Sequence, residues 1–270
     1  MTSSIKNPTF GTDGIRARAG LFPMDAQTIR RIAQASCCLL SETNKTVILG
    51  RDTRASGEWI TQSLIDGFIT GGAEVLDGGI MPTAAVACAI IEEQAALGIV
   101  ITASHNPAHD NGLKFFAANG KKLDDDEQQR ISLAYTDPPV ANNGSSRPLE
   151  NPLIGWQRRM PKIDLQGLKI MLDCAHGAAA YAAPPVLRKL GASVVLRGCA
   201  PNGRNINDQV GALHPPQDLV DCQLGICLDG DADRVVLICQ QRGVLDGDDI
   251  LYLLKDSCST PMVSTIMAIS

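Results

Sequence analysis

Apolar positions along this chain recur in two rhythms, short β-type runs and longer helical ones. Residues 46–49 form a short apolar run that ends at Gly50. Residues 58–69 follow at helical spacing, with Trp59, Ile60, Leu64, Ile65 and Phe68 on one stripe. Gly71 and Gly72 suit the left-handed stop of that helix. A strand over 73–76, a helix over 83–93 and a strand over 97–102 come next. The last is continuously apolar, as strands buried on both faces are. Residues 112–117 read as a strand and 124–135 as a helix, whose acidic start complements the positive end of the helix dipole.

Residues 137–152 (DPPVANNGSSRPLENP) lack periodic apolar positions, which predicts a linker. The alternation then restarts: strand 168–172, helix 178–190, strand 192–196, strands 224–228 and 235–239, and a helix over 248–256. Pro184-Pro185 predicts a break or restart in the second of these. One helix ends in TGGAEVL and another in KLGASVVL. This echo fits either a duplicated unit or the common chemistry of helix-to-strand loops. Both halves read as α/β layers.

The 270 residues suggest about two domains at roughly 150 each. A net charge of −5 without a basic run argues against a binder of nucleic acid. With 44% hydrophobic and 20% charged residues the composition is globular, not disordered. No apolar run is of bilayer length, and the first residues lack a signal-peptide core, so the expectation is a cytoplasmic protein without a membrane partner. The nine cysteines show no C-x-x-C spacing, which points to reduced thiols and not to structural zinc.

Two strings carry chemistry. The first is Thr102-Ala103-Ser104-His105-Asn106-Pro107, directly after the apolar strand, where open α/β sheets place ligands. Asn106-Pro107 fixes a turn, and Asn111-Gly112 returns the chain into a strand bearing Lys114. A hydroxyl, an imidazole and an amine thus converge within eleven residues.

The second is Asp229-Gly230-Asp231-Ala232-Asp233-Arg234, after the strand 224–228. Extended chain puts alternate side chains on one side. Three clustered carboxylates repel, and a hard divalent cation such as magnesium or calcium relieves that repulsion. An EF-hand fits poorly, because Arg234 and Gln240 stand where its glycine and glutamate belong. Arg234 adds a fixed positive charge suited to phosphate. Together the strings suggest phosphoryl exchange between hydroxyls: a phosphate on Ser104 completes the coordination of a metal on Asp229, Asp231 and Asp233. A phosphatase with Asp229 as nucleophile is the rival, though it leaves the serine loop without a task.

Four segments in order resemble the α-D-phosphohexomutase family: FGTDGIR at 10–16, GRDTRAS at 50–56, the serine loop with NGLK at 111–114, and DGDADR at 229–234. FGTDGIR and DNGLKFF look most like the bacterial branch that interconverts glucosamine 6-phosphate and glucosamine 1-phosphate for UDP-N-acetylglucosamine synthesis. The resemblance implies two consecutive three-layer α/β/α domains with mixed, mainly parallel sheets, plus the start of a third. Residues 1–150 would carry the phosphoserine loop, 151–246 the metal-binding loop, and 247–270 a truncated third domain. It implies Ser104 as the phosphorylated residue and, with Asp229, Asp231 and Asp233, a ligand of one Mg2+. Lys114 would be a general base, with His105 and Arg16 placing phosphate or proton, and Arg16, Lys114 and Arg234 binding substrate. Glucosamine 1,6-bisphosphate would be activator and intermediate, the substrate a phosphosugar, and the full-length form a homodimer.

Ala17 stands where the family often has glycine, which alters the turn beside Arg16, and Ala108-His109 stand where it often has an aromatic, which loosens the choice of sugar. The sugar-recognition and distal phosphate loops of the later family domains have no counterpart here, which leads us to expect a fragment that is a poor mutase alone. Phosphomannomutase or phosphoglucomutase activity, and a non-catalytic metal-binding fragment, stay open. Asp52 and Arg54 of GRDTRAS read as an ion pair that orders a loop, outside the site. His109 and His176 take no role.

Overall fold

The structure, a computed structural model, describes residues 6–255. Its first unit is a six-stranded mixed sheet of β1 (Ile15–Arg18), β2 (Thr46–Arg51), β3 (Glu74–Ile80), β4 (Leu97–Ile101), β5 (Asp110–Ala117) and β6 (Ser145–Pro148), in the order β1-β5-β4-β2-β3-β6. Strands β4, β2, β3 and β6 run parallel, while β5 is antiparallel to both β4 and β1. All five residues of β4 are buried, as its unbroken apolar run requires.

Helices cover both faces. On one, α1 (Ala26–Ser36) and α2 (Gly57–Thr70) bury Ile29, Ile32, Ile60, Leu64 and Phe68 against Val47, Leu49, Ile99 and Ile101. On the other, α3 (Thr83–Glu92) packs Val86, Ala89 and Ile90 on Ile48, Val100 and Phe116. The alternation of β2 between these clusters is the period-2 rule at work. Helix α4 (Asp125–Ala134) starts on a capping box between Asp124 and Glu127, the acidic start read from sequence.

The second unit is a five-stranded sheet of β7 (Lys169–Asp173), β8 (Ser193–Arg197), β9 (Leu224–Leu228), β10 (Val235–Cys239) and β11 (Gly243–Leu245), ordered β11-β10-β9-β7-β8. Helix α6 (Ala179–Lys189) lies on one face, and α7 (Gly247–Leu254) follows β11. Both units are α/β/α domains. Among the described residues, no helix is long and apolar enough to cross a membrane.

Three local expectations change. The segment expected as linker carries β6, which pairs parallel with β3 although its four residues are exposed. Backbone hydrogen bonds and the exposed Arg147–Glu74 ion pair at 3.3 Å hold this edge, so no apolar alternation marks it. Helix α5 (Ile154–Arg158) then packs on α3 of the first unit, with Trp156 against its core. Pro184-Pro185 does not break α6, which runs through both. The helix forgoes the two hydrogen bonds that its prolines cannot donate. The tail from 256 on, including the chain's last residues and the end of the helix expected over 248–256, lies outside the described residues.

Candidate active site

The serine loop and the acidic loop meet at the carboxyl ends of β4 and β9. Ser104 adopts φ 51°, a left-handed conformation unusual for serine, and is 1% exposed. Its N–H donates to Thr102 Oγ1 at 2.9 Å. Its hydroxyl donates to Asp229 Oδ2 at 2.6 Å and accepts from Arg234 Nη2 at 2.7 Å. Arg234 Nη2 also contacts His105 Nδ1, and Arg234 Nε donates to Asp229 Oδ2 at 3.1 Å. The hydroxyl thus sits between a carboxylate and a guanidinium, both from the other domain.

Lys114 reaches the same place from β5. Its buried ammonium donates to Asp231 Oδ2 at 2.5 Å and to Asp233 Oδ2 at 2.7 Å. Burial pulls its pKa down, but the two carboxylates outweigh this and the net direction is up. Burial likewise pushes Asp231 up, and the Lys114 charge reverses it, so Asp231 stays below the usual carboxylate range. Asp229 goes the other way: burial and the neighbouring Asp231 charge raise it, against the hydrogen bond from Ser104. His105 is lowered by burial and by the charges of Arg234 and Arg16.

The three aspartates each present a carboxylate oxygen within 4.8 Å of the others. Asp231 Oδ1 is buried without any hydrogen-bond partner. A buried orphan carboxylate oxygen is costly unless something cationic meets it. With hard oxygen donors on all three residues, the set could hold a divalent ion such as magnesium.

Arg16 lies on β1 opposite Gly112 of β5, where a Cβ at 112 would come within 2.8 Å of Arg16 Cγ. Its Nη2 donates to Asp13 Oδ2 at 3.2 Å, and its Nε is buried without a partner. It flanks the cluster without bonding to it. His176 accepts from Ala200 N–H, and His109 stands 3.6 Å from Asp110, so neither joins the site.

Four contributors escaped the sequence reading of the site. Asp52 and Arg54 form the expected ion pair at 2.9 Å, fully buried. Beyond that, Arg54 donates to the carbonyls of Ser104, Asn106, Pro107 and Asp110, so the pair holds the serine loop itself. Thr83 Oγ1 donates to Asp231 Oδ2 at 2.7 Å, and Asn207 Nδ2 donates to Ser104 O at 2.9 Å. The RDTR spacing signalled the first two residues. Nothing local to Thr83 or Asn207 signals either contact.

A family model described as phosphoglucomutase/phosphomannomutase, alpha/beta/alpha domain I, matches residues 7–138, and the corresponding domain II model matches residues 154–243. The phosphoglucosamine mutase of Albidiferax ferrireducens is 43% identical over 265 residues, covering 92% of this chain and 59% of that protein. That of Polaromonas naphthalenivorans is 43% identical over 263 residues, covering 91% and 59%. Among solved structures, a phosphoglucomutase/phosphomannomutase family protein from Burkholderia thailandensis superposes with TM-score 0.75 at 24% identity, over 92% of this chain and 58% of that one. Parafusin, a phosphoglucomutase from Paramecium, gives 0.66 at 18%, over 94% and 57%. At these identities the structures show the fold. The chain spans about 59% of the length of the curated relatives it matches.

Proposed function

The chain belongs to the phosphoglucomutase/phosphomannomutase family, and on that premise we propose that it carries the phosphoryl-transfer site of a phosphoglucosamine mutase. Such an enzyme interconverts glucosamine 6-phosphate and glucosamine 1-phosphate through a phosphoserine and a glucosamine 1,6-bisphosphate intermediate. The observation that carries this reading is the Ser104 hydroxyl, clasped between Asp229 and Arg234 beside a carboxylate triad. The 43% identity to named phosphoglucosamine mutases supports the choice of sugar over glucose or mannose.

Each residue has a task in that reading. Ser104 Oγ gives and takes the phosphoryl group, with its proton directed at Asp229 Oδ2. Arg234 binds Oγ now and a phosphoryl oxygen after transfer, and His105 steadies its guanidinium. Asp229, Asp231 and Asp233 would hold magnesium, with a Ser104 phosphate as a further ligand. When bound, the ion supplies Lewis-acid stabilisation of the phosphoryl oxygens. Lys114 is assigned to the sugar hydroxyl's proton and Arg16 to the substrate phosphate. A phosphatase with Asp229 as nucleophile would leave the Ser104 hydroxyl, which donates to Asp229 Oδ2 and accepts from Arg234, without a task.

The test is intact-mass analysis after incubation with magnesium and glucosamine 1,6-bisphosphate. One added phosphoryl group that Ser104→Ala abolishes is expected. Phosphate release that survives in Ser104→Ala, with no phosphoprotein in either form, would overturn the reading. Parallel turnover assays with glucosamine, glucose and mannose phosphates decide the sugar.

A further inference from the structure

Donors from two different domains meet on the backbone of the serine loop. The carbonyl oxygen of Ser104 accepts from Arg54 Nη2 at 3.0 Å and from Asn207 Nδ2 at 2.9 Å. The carbonyl of Asn106 accepts from the same two groups, at 2.8 and 3.2 Å. Arg54 follows β2 in the first domain. Asn207 lies between β8 and β9 in the second. A carbonyl has two lone pairs, and on Ser104 each domain fills one.

Asn207 is itself held for this purpose. It is 8% exposed, its N–H donates to Ala175 O at 2.8 Å, and its φ is 61°. Asparagine tolerates that left-handed conformation better than most residues. Its amide also abuts the acidic loop. A Cβ at Gly230 would lie 2.6 Å from Ser104 O and 3.0 Å from Asn207 Nδ2. The absence of a side chain there lets the acidic loop, the serine loop and the Asn207 amide pack at one point.

We infer that Asn207 is a positioning residue for the nucleophile: its side-chain amide closes the serine loop from the second domain and sets where Ser104 Oγ stands against Asp229 and Arg234. Asn207 touches only backbone in this cluster, so it acts through Ser104 and not on substrate. Calling Ser104 the nucleophile rests on the function proposed above. The positioning of the loop does not, and the experiment separates the two.

Two variants divide the possibilities. Asn207→Gly keeps access to the left-handed backbone and removes the amide. Asn207→Asp keeps size and turn preference but presents a carboxylate where a donor is needed. The first measurement is amide hydrogen exchange at Ser104 and Asn106, whose N–H groups bond within the loop to Thr102 Oγ1 and Ala103 O. Losing two ordinary hydrogen bonds predicts roughly tenfold faster exchange there in Asn207→Gly, and at least as much in Asn207→Asp, with the β-sheet amides of both domains unchanged. The second is phosphoryl transfer to Ser104 from glucosamine 1,6-bisphosphate. Its maximal rate should fall about as far, with the half-saturating concentration unmoved, because no sugar contact is lost. Exchange at wild-type rates in Asn207→Gly overturns the inference, as does rescue by Asn207→Asp, which would mean that bulk alone matters. Absence of phosphorylation in the wild-type chain would remove the functional reading and leave the exchange test standing.

Discussion

Replacing Arg54 by lysine keeps the charge and removes the geometry. All five N–H groups of the guanidinium are spent: Nε on Asp52 Oδ2 at 2.9 Å, Nη1 on Pro107 O and on Asp110 O at 3.0 Å, and Nη2 on Ser104 O at 3.0 Å and Asn106 O at 2.8 Å. The side chains of Arg54 and Asp52 are both fully buried, so solvent does not screen this network. An ammonium has three donors, so in Arg54→Lys at least two of the five acceptors lose their bond from this side chain. Asn207 still serves Ser104 and Asn106, and Pro107 O keeps the Asp110 N–H at 3.1 Å, which leaves the Asp110 carbonyl as the acceptor that depends on the fork. At about 1–3 kcal/mol for a buried acceptor left unmet, the expected destabilisation is about 1–3 kcal/mol. Arg54→Met does worse, because Asp52 becomes an unpaired buried charge at about 3–5 kcal/mol. Adding Asp52→Asn to Arg54→Met should then recover part of the loss, since the stranded group is neutral.

The assay is urea unfolding followed by tryptophan fluorescence, with Trp59 on α2 reporting the first domain. Against an ordinary domain stability of about 5–15 kcal/mol, the lysine variant should stay folded and measurable. Its midpoint should fall with the slope unchanged. A lysine variant within about 0.5 kcal/mol of wild type, below the range for even one unmet buried group, would show that the loop does not depend on the fork geometry. A double variant no more stable than Arg54→Met alone would refute the buried-charge argument.

Two further outcomes follow from close packing and burial. Gly177→Ala places a Cβ 2.1 Å from Gly230 O, a backbone atom that cannot swing away. Phosphorylation of Ser104 should drop at least tenfold, of the order expected for a misplacement near 1 Å, while the Trp59-reported transition stays put; unchanged phosphorylation would refute the close approach. Burial pushes the Cys37 thiol up to about 12. Its thiolate fraction at pH 8 is therefore roughly a thousandfold below that of an ordinary thiol. Peptide mapping after iodoacetamide should find Cys37 unmodified while the half-buried Cys239 reacts, and Cys37 labelling should appear only in urea or as the pH approaches 12.

What the sequence revealed, and what it hid, follows from how far apart the interacting residues are along the chain. The acidic loop was legible because its three carboxylates recur within five residues behind an apolar strand. The serine loop was legible for the same reason. Thr83 and Asp231 stand 148 residues apart, and Asn207 and Ser104 stand 103 apart. Neither pairing leaves a periodicity, only a threonine at a helix start and an asparagine in a polar loop. Helix α1 is absent from the sequence expectation although Ile29, Ile32 and Ala33 stand at helical spacing on its buried face. Its start is chemically marked, with Asp25 accepting from Thr28 N–H at 2.9 Å, and that cap was the available signal. Strand β6 left no signal, since an exposed edge held by backbone pairing has no apolar face to show.

The echo between TGGAEVL and KLGASVVL takes on weight from the topology. In the first sheet β2 lies between parallel β3 and β4, and β4 pairs antiparallel with β5. In the second, β7 lies between parallel β8 and β9, and β9 pairs antiparallel with β10. The glycines that end the preceding helices, Gly72 and Gly191, both sit at left-handed φ, 87° and 99°. A buried aspartate closes each central strand, Asp52 after β2 and Asp173 at the end of β7, and each is paired with an arginine, Arg54 or Arg197. Common loop chemistry accounts for the glycines, while the matching strand order and direction favour duplication. It also explains why the chemistry divides as it does. The serine loop joins β4 to β5, and the acidic loop joins β9 to β10, so the two occupy equivalent hairpins of the two sheets. One hairpin presents a hydroxyl and the other presents carboxylates and Arg234. Neither hairpin is complete alone: Ser104 finds its hydrogen-bond partners on the acidic loop, and Asp231 is met by Thr83 and Lys114 from the serine side. Charge that one domain could not bury by itself is balanced across the contact, and docking of the two domains therefore assembles the site.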